Sequence, residues 1–145
     1  MTDKEGFSIQ GIDHIGIATL DLDSGSSFWQ ILGMNSSHED EIVESQGVRI
    51  RFFEFEKHTS DTRIELLEPT SENTPIGKFI SKRGIGIQQI CLEVKGLTQL
   101  LEHLKSNNVL LIDEFPKEGA NGCMIAFVHP KSTGGVLVEL SEKKE

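Results

Sequence analysis

Gly11-Ile12-Asp13-His14-Ile15-Gly16-Ile17-Ala18 and Gly86-Ile87-Gln88-Gln89-Ile90-Cys91-Leu92-Glu93 are two versions of one pattern, half a chain apart. Each opens on glycine and continues as the apolar alternation of a half-buried strand. A repeat of this kind constrains everything between its copies, because both must grow into the same supersecondary unit. After the second copy, Leu97, Leu100, Leu101 and Leu104 recur at helical spacing, and Asn107-Asn108 supplies a stop. After the first copy, Asp23 or Ser24 is placed to cap a helix running through Phe28-Trp29-Gln30-Ile31-Leu32, with Gly33 ending it.

Strand-like runs follow both helices: Val48 to Phe55 and Thr62 to Glu68 in the first half, Cys123 to Val128 and Gly135 to Leu140 in the second. The last strands also align, Arg63-Ile64-Glu65-Leu66-Leu67 with Leu137-Val138-Glu139-Leu140-Ser141. The expected fold is therefore α+β, with two tandem βαβββ modules forming a curved, half-open barrel around a cavity. Module one covers about 8–69 and module two about 85–141. The polar stretch 70–84 links them and includes a short helix over Ile76 to Lys82.

The repeat places four polar residues at equivalent positions: His14 and Gln89 in the first strands, Glu65 and Glu139 in the last. Imidazole, carboxylate and amide oxygen are ligands for Zn²⁺, Co²⁺, Ni²⁺ or Mn²⁺. Glu65 and Glu139 stand in otherwise apolar runs, where an inward charge requires a partner. Together the four are the candidate metal set. His38, His58, His103 and His129 read as surface or turn residues, and Cys91 and Cys123 as reduced residues packed in strands.

With 145 residues, the chain is expected to form a single domain. Fourteen basic against 23 acidic residues leave a formal charge of -9, which argues against nucleic acid and anionic membranes as partners. The polar opening and the lack of a long apolar run give a cytoplasmic expectation.

Several motifs resemble the vicinal-oxygen-chelate (glyoxalase/bleomycin-resistance/dioxygenase) superfamily, and within it the methylmalonyl-CoA epimerases. They are Asp13-His14-Ile15-Gly16-Ile17-Ala18, Phe28-Trp29 to Leu32-Gly33, Ile64-Glu65-Leu66-Leu67-Glu68-Pro69 and the long run from His129 to Leu140. The resemblance implies a metal-dependent epimerase that inverts the α-carbon of methylmalonyl-CoA through an enolate, works as a homodimer and takes an acyl-CoA substrate. It carries Glu139 over as metal ligand and candidate base. Two positions depart from the pattern. Gln89 stands where these epimerases have a second metal-binding histidine. Ile50 stands three residues after the Gly of Gln46-Gly47-Val48, where some carry a catalytic glutamate, which leaves Glu44, Glu54 and Glu65 as candidates for a second base. A glyoxalase-I-like lyase or isomerase and a non-catalytic small-molecule-binding protein are the alternative readings. Arg49, Arg51, Lys82, Arg83 and Lys131 are the cations available to CoA phosphates.

Overall fold

A strand with alternate apolar side chains must bury one face. In the computed structural model, which describes residues 6–36, 39–56 and 60–144, a helix covers that face in each half of the chain. The first half runs β1 (Ser8–Ala18), α1 (Leu22–Ile31), β2 (Glu41–Val43), β3 (Val48–Glu54) and β4 (Arg63–Pro69). After α2 (Pro75–Arg83), the second half runs β5 (Gly86–Lys95), α3 (Leu97–Ser106), β6 (Lys117–Glu118), β7 (Met124–Val128) and β8 (Val138–Glu142). Both halves are βαβββ modules, so the α+β class and the duplication hold. His14–Gln88 forms one compact unit, and the described residues on either side of it form another.

The strand order is β2-β3-β4-β1 in the first unit and β5-β8-β7-β6 in the second. Each first strand runs parallel to its module's last strand and in the same register: Gly16 lies opposite Glu65, and Cys91 opposite Glu139. In the first unit, Leu22, Phe53, Ile64 and Leu66 form the buried cluster, with Ile15, Ile17 and Trp29 packed against it. In the second, Val94, Leu97, Leu100, Leu101, Ala126, Val128 and Leu140 do so, joined by Phe7 from the arm ahead of β1.

Each helix start is tied to the end of its module's last strand. Leu22 N donates to Glu68 Oε1 at 3.0 Å. Gly96 N and Leu97 N donate to the Glu142 carboxylate at 2.8 and 3.2 Å. A carboxylate at a helix N-terminus meets unpaired N–H groups and the positive end of the helix dipole. Gly96 has φ +73°, and a Cβ there would collide with the Gly6 carbonyl, so only glycine suits this start.

Two boundaries differ from the sequence expectation. The cap of α1 is Asp21, whose carboxylate accepts from Ser24 N at 3.0 Å. Asp23 instead meets Arg51 at 3.0 Å. The last strand begins at Val138 because Pro130–Ser132 forms a 3₁₀ turn, after which the Thr133 hydroxyl accepts from Val136 N at 3.0 Å and holds the chain out of the sheet. The linker helix forms as expected, capped by Thr74 and ended by Gly84. Among the described residues, no helix is long and apolar enough to cross a membrane.

Candidate metal centre

Because side chains alternate across a strand, fixing the helix-covered face also fixes the other one. In module one Ile15, Ile17, Ile64 and Leu66 belong to the helix-covered core. His14, Gly16, Arg63 and Glu65 therefore project from the opposite face. Phe52 lies directly across from Glu65 on β3. In module two Leu92, Val94, Val138 and Leu140 pack toward the helix, which leaves Gln89, Cys91 and Glu139 on the opposite face. Phe127 lies across from Glu139. Every sequence-predicted site residue thus stands on the helix-free face of its own module.

All four are buried, His14 at 5 %, Glu65 at 2 %, Gln89 at 7 % and Glu139 at 6 % exposure, so none is the solvated surface residue that its type would suggest. Within the first unit, His14 Nδ1 lies 3.0 Å from Glu65 Oε2. Arg63, which the sequence reading passed over, brings a guanidinium nitrogen to 3.2 Å from the same oxygen. Both are ion-pair distances, yet neither N–H is aimed at Oε2 as a hydrogen bond, so this buried oxygen keeps its lone pairs. Within the second unit, Gln89 Nε2 donates to Glu139 Oε1 at 2.9 Å.

An orphaned buried carboxylate oxygen beside an imidazole fits a divalent ion. Two ligands bound at about 2.1 Å to one ion stand roughly 3.0–3.4 Å apart, and the His14–Glu65 separation falls in that range. Gln89 presents its amide nitrogen to Glu139, so a half-turn of the amide is needed before its oxygen can serve a cation.

Each phenylalanine across from a site glutamate carries a cation. The Arg63 guanidinium lies 4.9 Å from the Phe52 ring centroid, and Lys117 Nζ lies 5.3 Å from that of Phe127. Lys117 also pairs with Asp113 at 3.0 Å, and Asp113 accepts from Phe127 N at 2.9 Å. No sequence motif flagged Arg63 or Lys117. Their signal was the position two residues before Glu65 for the former and a short strand ahead of β7 for the latter.

A sequence model of the glyoxalase/bleomycin resistance protein/dioxygenase superfamily matches residues 13–127. The chain belongs to this superfamily. It is 40% identical over 134 residues to an uncharacterized protein of Bacillus subtilis, covering 92% of each. To the mitochondrial methylmalonyl-CoA epimerase of Dictyostelium discoideum it is 40% identical over 134 residues, 91% of this chain and 78% of that one. A Streptomyces coelicolor methylmalonyl-CoA epimerase variant, solved with 2-nitronate-propionyl-CoA, superposes with a TM-score of 0.88 at 33% identity, over 95% of this chain and all (100%) of that one.

Other candidates of the superfamily reading are less suited to the site. Arg51 faces the helix, where Asp40, Asp23 and Ser26 hold it, so it is withdrawn from the CoA-phosphate candidates. Arg49 lies 3.5 Å from Glu68, whereas Lys82, Arg83 and Lys131 are exposed. Ile50 is buried on the same face as Phe52 and offers no proton-transfer group, and Glu44 is exposed in a 3₁₀ turn. Glu54 pairs in register with Arg63. His103 packs against Phe7, and His129 Nδ1 accepts from Lys131 N, so both have structural roles. His38 and His58 lie outside the described residues. Cys91 is buried on the Glu139 face and in no disulfide, while Cys123 is partly exposed rather than core.

Proposed function

We propose that this chain is a metal-dependent methylmalonyl-CoA epimerase, with His14, Glu65, Gln89 and Glu139 as the ligands of a divalent ion such as Co²⁺, Zn²⁺, Ni²⁺ or Mn²⁺. The observation that carries the proposal is the symmetric burial of two polar pairs, His14 with Glu65 and Gln89 with Glu139, at equivalent register positions. The identity with proteins named as methylmalonyl-CoA epimerases, over nine-tenths of the chain, supports methylmalonyl-CoA as the substrate.

When bound, such an ion supplies Lewis-acid stabilisation of the negative charge that develops on the acyl oxygens as the α-proton leaves. The remaining work falls to the protein. Glu139, held at Oε1 by Gln89, takes or returns the α-proton through its carboxylate. Phe52 stands across from Glu65 and Phe127 across from Glu139, so that each carboxylate has an aromatic side chain as its cross-strand neighbour. Inversion requires proton transfer on both faces of the enolate, and Glu65 is the carboxylate that module one offers for the second. The acyl-CoA ester is the partner of the site; a homodimer and a cytoplasmic location belong to the same reading.

The test is elemental analysis of untagged protein, followed by solvent deuterium incorporation at the α-carbon of methylmalonyl-CoA with and without Co²⁺. Bound metal with metal-dependent α-deuteration is the expected result. Metal without exchange would redirect the assignment to a glyoxalase-I-like reaction, and neither would leave a small-molecule-binding protein.

A further inference from the structure

Arg63 stands on the helix-free face of module one, and the proposed reaction gives it no role. It lies on β4 two residues before Glu65 and opposite His14 in the parallel ladder. Its side chain is 18% exposed, one nitrogen lies 3.2 Å from Glu65 Oε2, and its guanidinium is stacked over Phe52, itself 1 % exposed. An ionised carboxylate so deeply buried needs a nearby positive charge. A guanidinium stacked on an aromatic ring is held by its face, so its place does not depend on hydrogen bonds to the carboxylate. The distance provides attraction, while the misdirected N–H groups leave the lone pairs of Oε2 uncommitted.

We infer that Arg63 is a positioning residue for Glu65, a built-in counter-charge that holds the carboxylate inside the protein before any metal arrives and leaves its oxygen open as a ligand. The inference rests on the metal reading of the site but is specific to this module. The corresponding position in module two is Leu137, and there Glu139 Oε1 accepts a neutral amide hydrogen bond from Gln89. Arg63 and a divalent ion would then act on one carboxylate as partly interchangeable cations. The protein tolerates the empty state because of Arg63, and it accepts the ion against some repulsion from the same guanidinium.

A double-mutant cycle on the full chain tests this. In metal-free protein Arg63→Gln should lower the melting temperature by about 5 °C. In a Glu65→Gln background, where the buried charge of Glu65 is gone, the same change should cost only about 1 °C. A role for Arg63 through stacking alone would give equal losses in both backgrounds and would overturn the inference. Co²⁺ titrated by calorimetry should bind Arg63→Gln about 10-fold more tightly than the parent, since a repelling charge of about one unit has gone, while Arg63→Lys should stay close to the parent. Unchanged or weaker Co²⁺ binding in Arg63→Gln would also overturn it. A parent that binds no Co²⁺ would remove the metal reading instead, and the metal-free cycle would then decide the counter-charge by itself.

Discussion

The two modules share a backbone plan but treat their buried carboxylates differently. Glu65 has an imidazole and a guanidinium at 3.0 and 3.2 Å, neither aligned as a hydrogen bond. Glu139 accepts a hydrogen bond at 2.9 Å from a neutral amide. Charge balance without directed donors leaves a ligand oxygen available, whereas a directed neutral donor fixes a carboxylate's orientation while leaving much of its negative charge in place. Both modules have the same strand register around their glutamates. In the proposed reading, Glu65 serves first as a ligand and Glu139 first as the base.

The largest effect that this comparison predicts is at Glu139. Glu139→Ala should remove metal retention and reduce α-deuteration of methylmalonyl-CoA by about 10³-fold or more, as loss of both a ligand and a general base requires. Glu139→Gln keeps an oxygen donor but not a base, so in excess Co²⁺ it should bind the ion and remain slow. Glu65→Gln under the same conditions should recover a greater share of the exchange rate. Equal defects in the two glutamine variants, measured side by side, would break the division of labour.

His14→Ala ranks next. Loss of partners one step removed from a metal costs about 10- to 100-fold in affinity, and loss of a ligand should cost at least as much. Inductively coupled plasma analysis after dialysis would show the loss, and a variant that still carries stoichiometric metal would take His14 out of the site.

Much of this was legible in the sequence because burial and alternation are periodic properties. The Gly11 and Gly86 runs, the leucines of α3 and the matched endings at Glu65 and Glu139 announce two βαβββ modules, and all four polar candidates fall on the helix-free strand faces of their modules. What remained hidden depended on pairings between strands. Arg63 acquires its meaning only because β3 brings Phe52 opposite Glu65, and the helix-capping roles of Glu68 and Glu142 depend on where β4 and β8 end. The start of the last strand was misplaced because a threonine hydroxyl satisfies the backbone locally between Thr133 and Val136, a preference that apolar patterning does not register.

Gln89→His sharpens the comparison with a smaller effect. If the amide of Gln89 turns to coordinate, an imidazole in its place should raise affinity for Zn²⁺ or Co²⁺ by about 10-fold. If Gln89 serves only to hold Glu139, the same change should leave affinity unaltered and slow the exchange reaction. Calorimetry and the deuterium assay on one preparation separate these outcomes.

The smallest effect concerns the helix-covered strand faces of the two modules. Arg51 on β3 matches Ala126 on β7, each being the residue before the phenylalanine that faces a site glutamate. Ala126 is fully buried in an apolar cluster, whereas Arg51 makes a forked pair with Asp40, Nε to Oδ1 at 2.9 Å and a terminal nitrogen to Oδ2 at 2.8 Å. The hydrogen bonds from Arg51 hold the Asp40 carboxyl below its ordinary value of 3.8, against a smaller opposing effect of burial. A depressed carboxylate stabilises the fold above its unfolded pKa and loses that contribution as the pH falls through the folded one. Module one should therefore contribute an acid-sensitive increment at a position where module two has only the apolar Ala126. Because the pair is partly exposed, screening keeps the increment modest, and Arg51→Gln should lower the melting temperature by about 3 °C at pH 7. That difference should shrink below pH ~4 and vanish once Asp40 is protonated in both proteins. A loss that persists undiminished into acid would mean that Arg51 acts through its packing against α1 and not through the charge of Asp40.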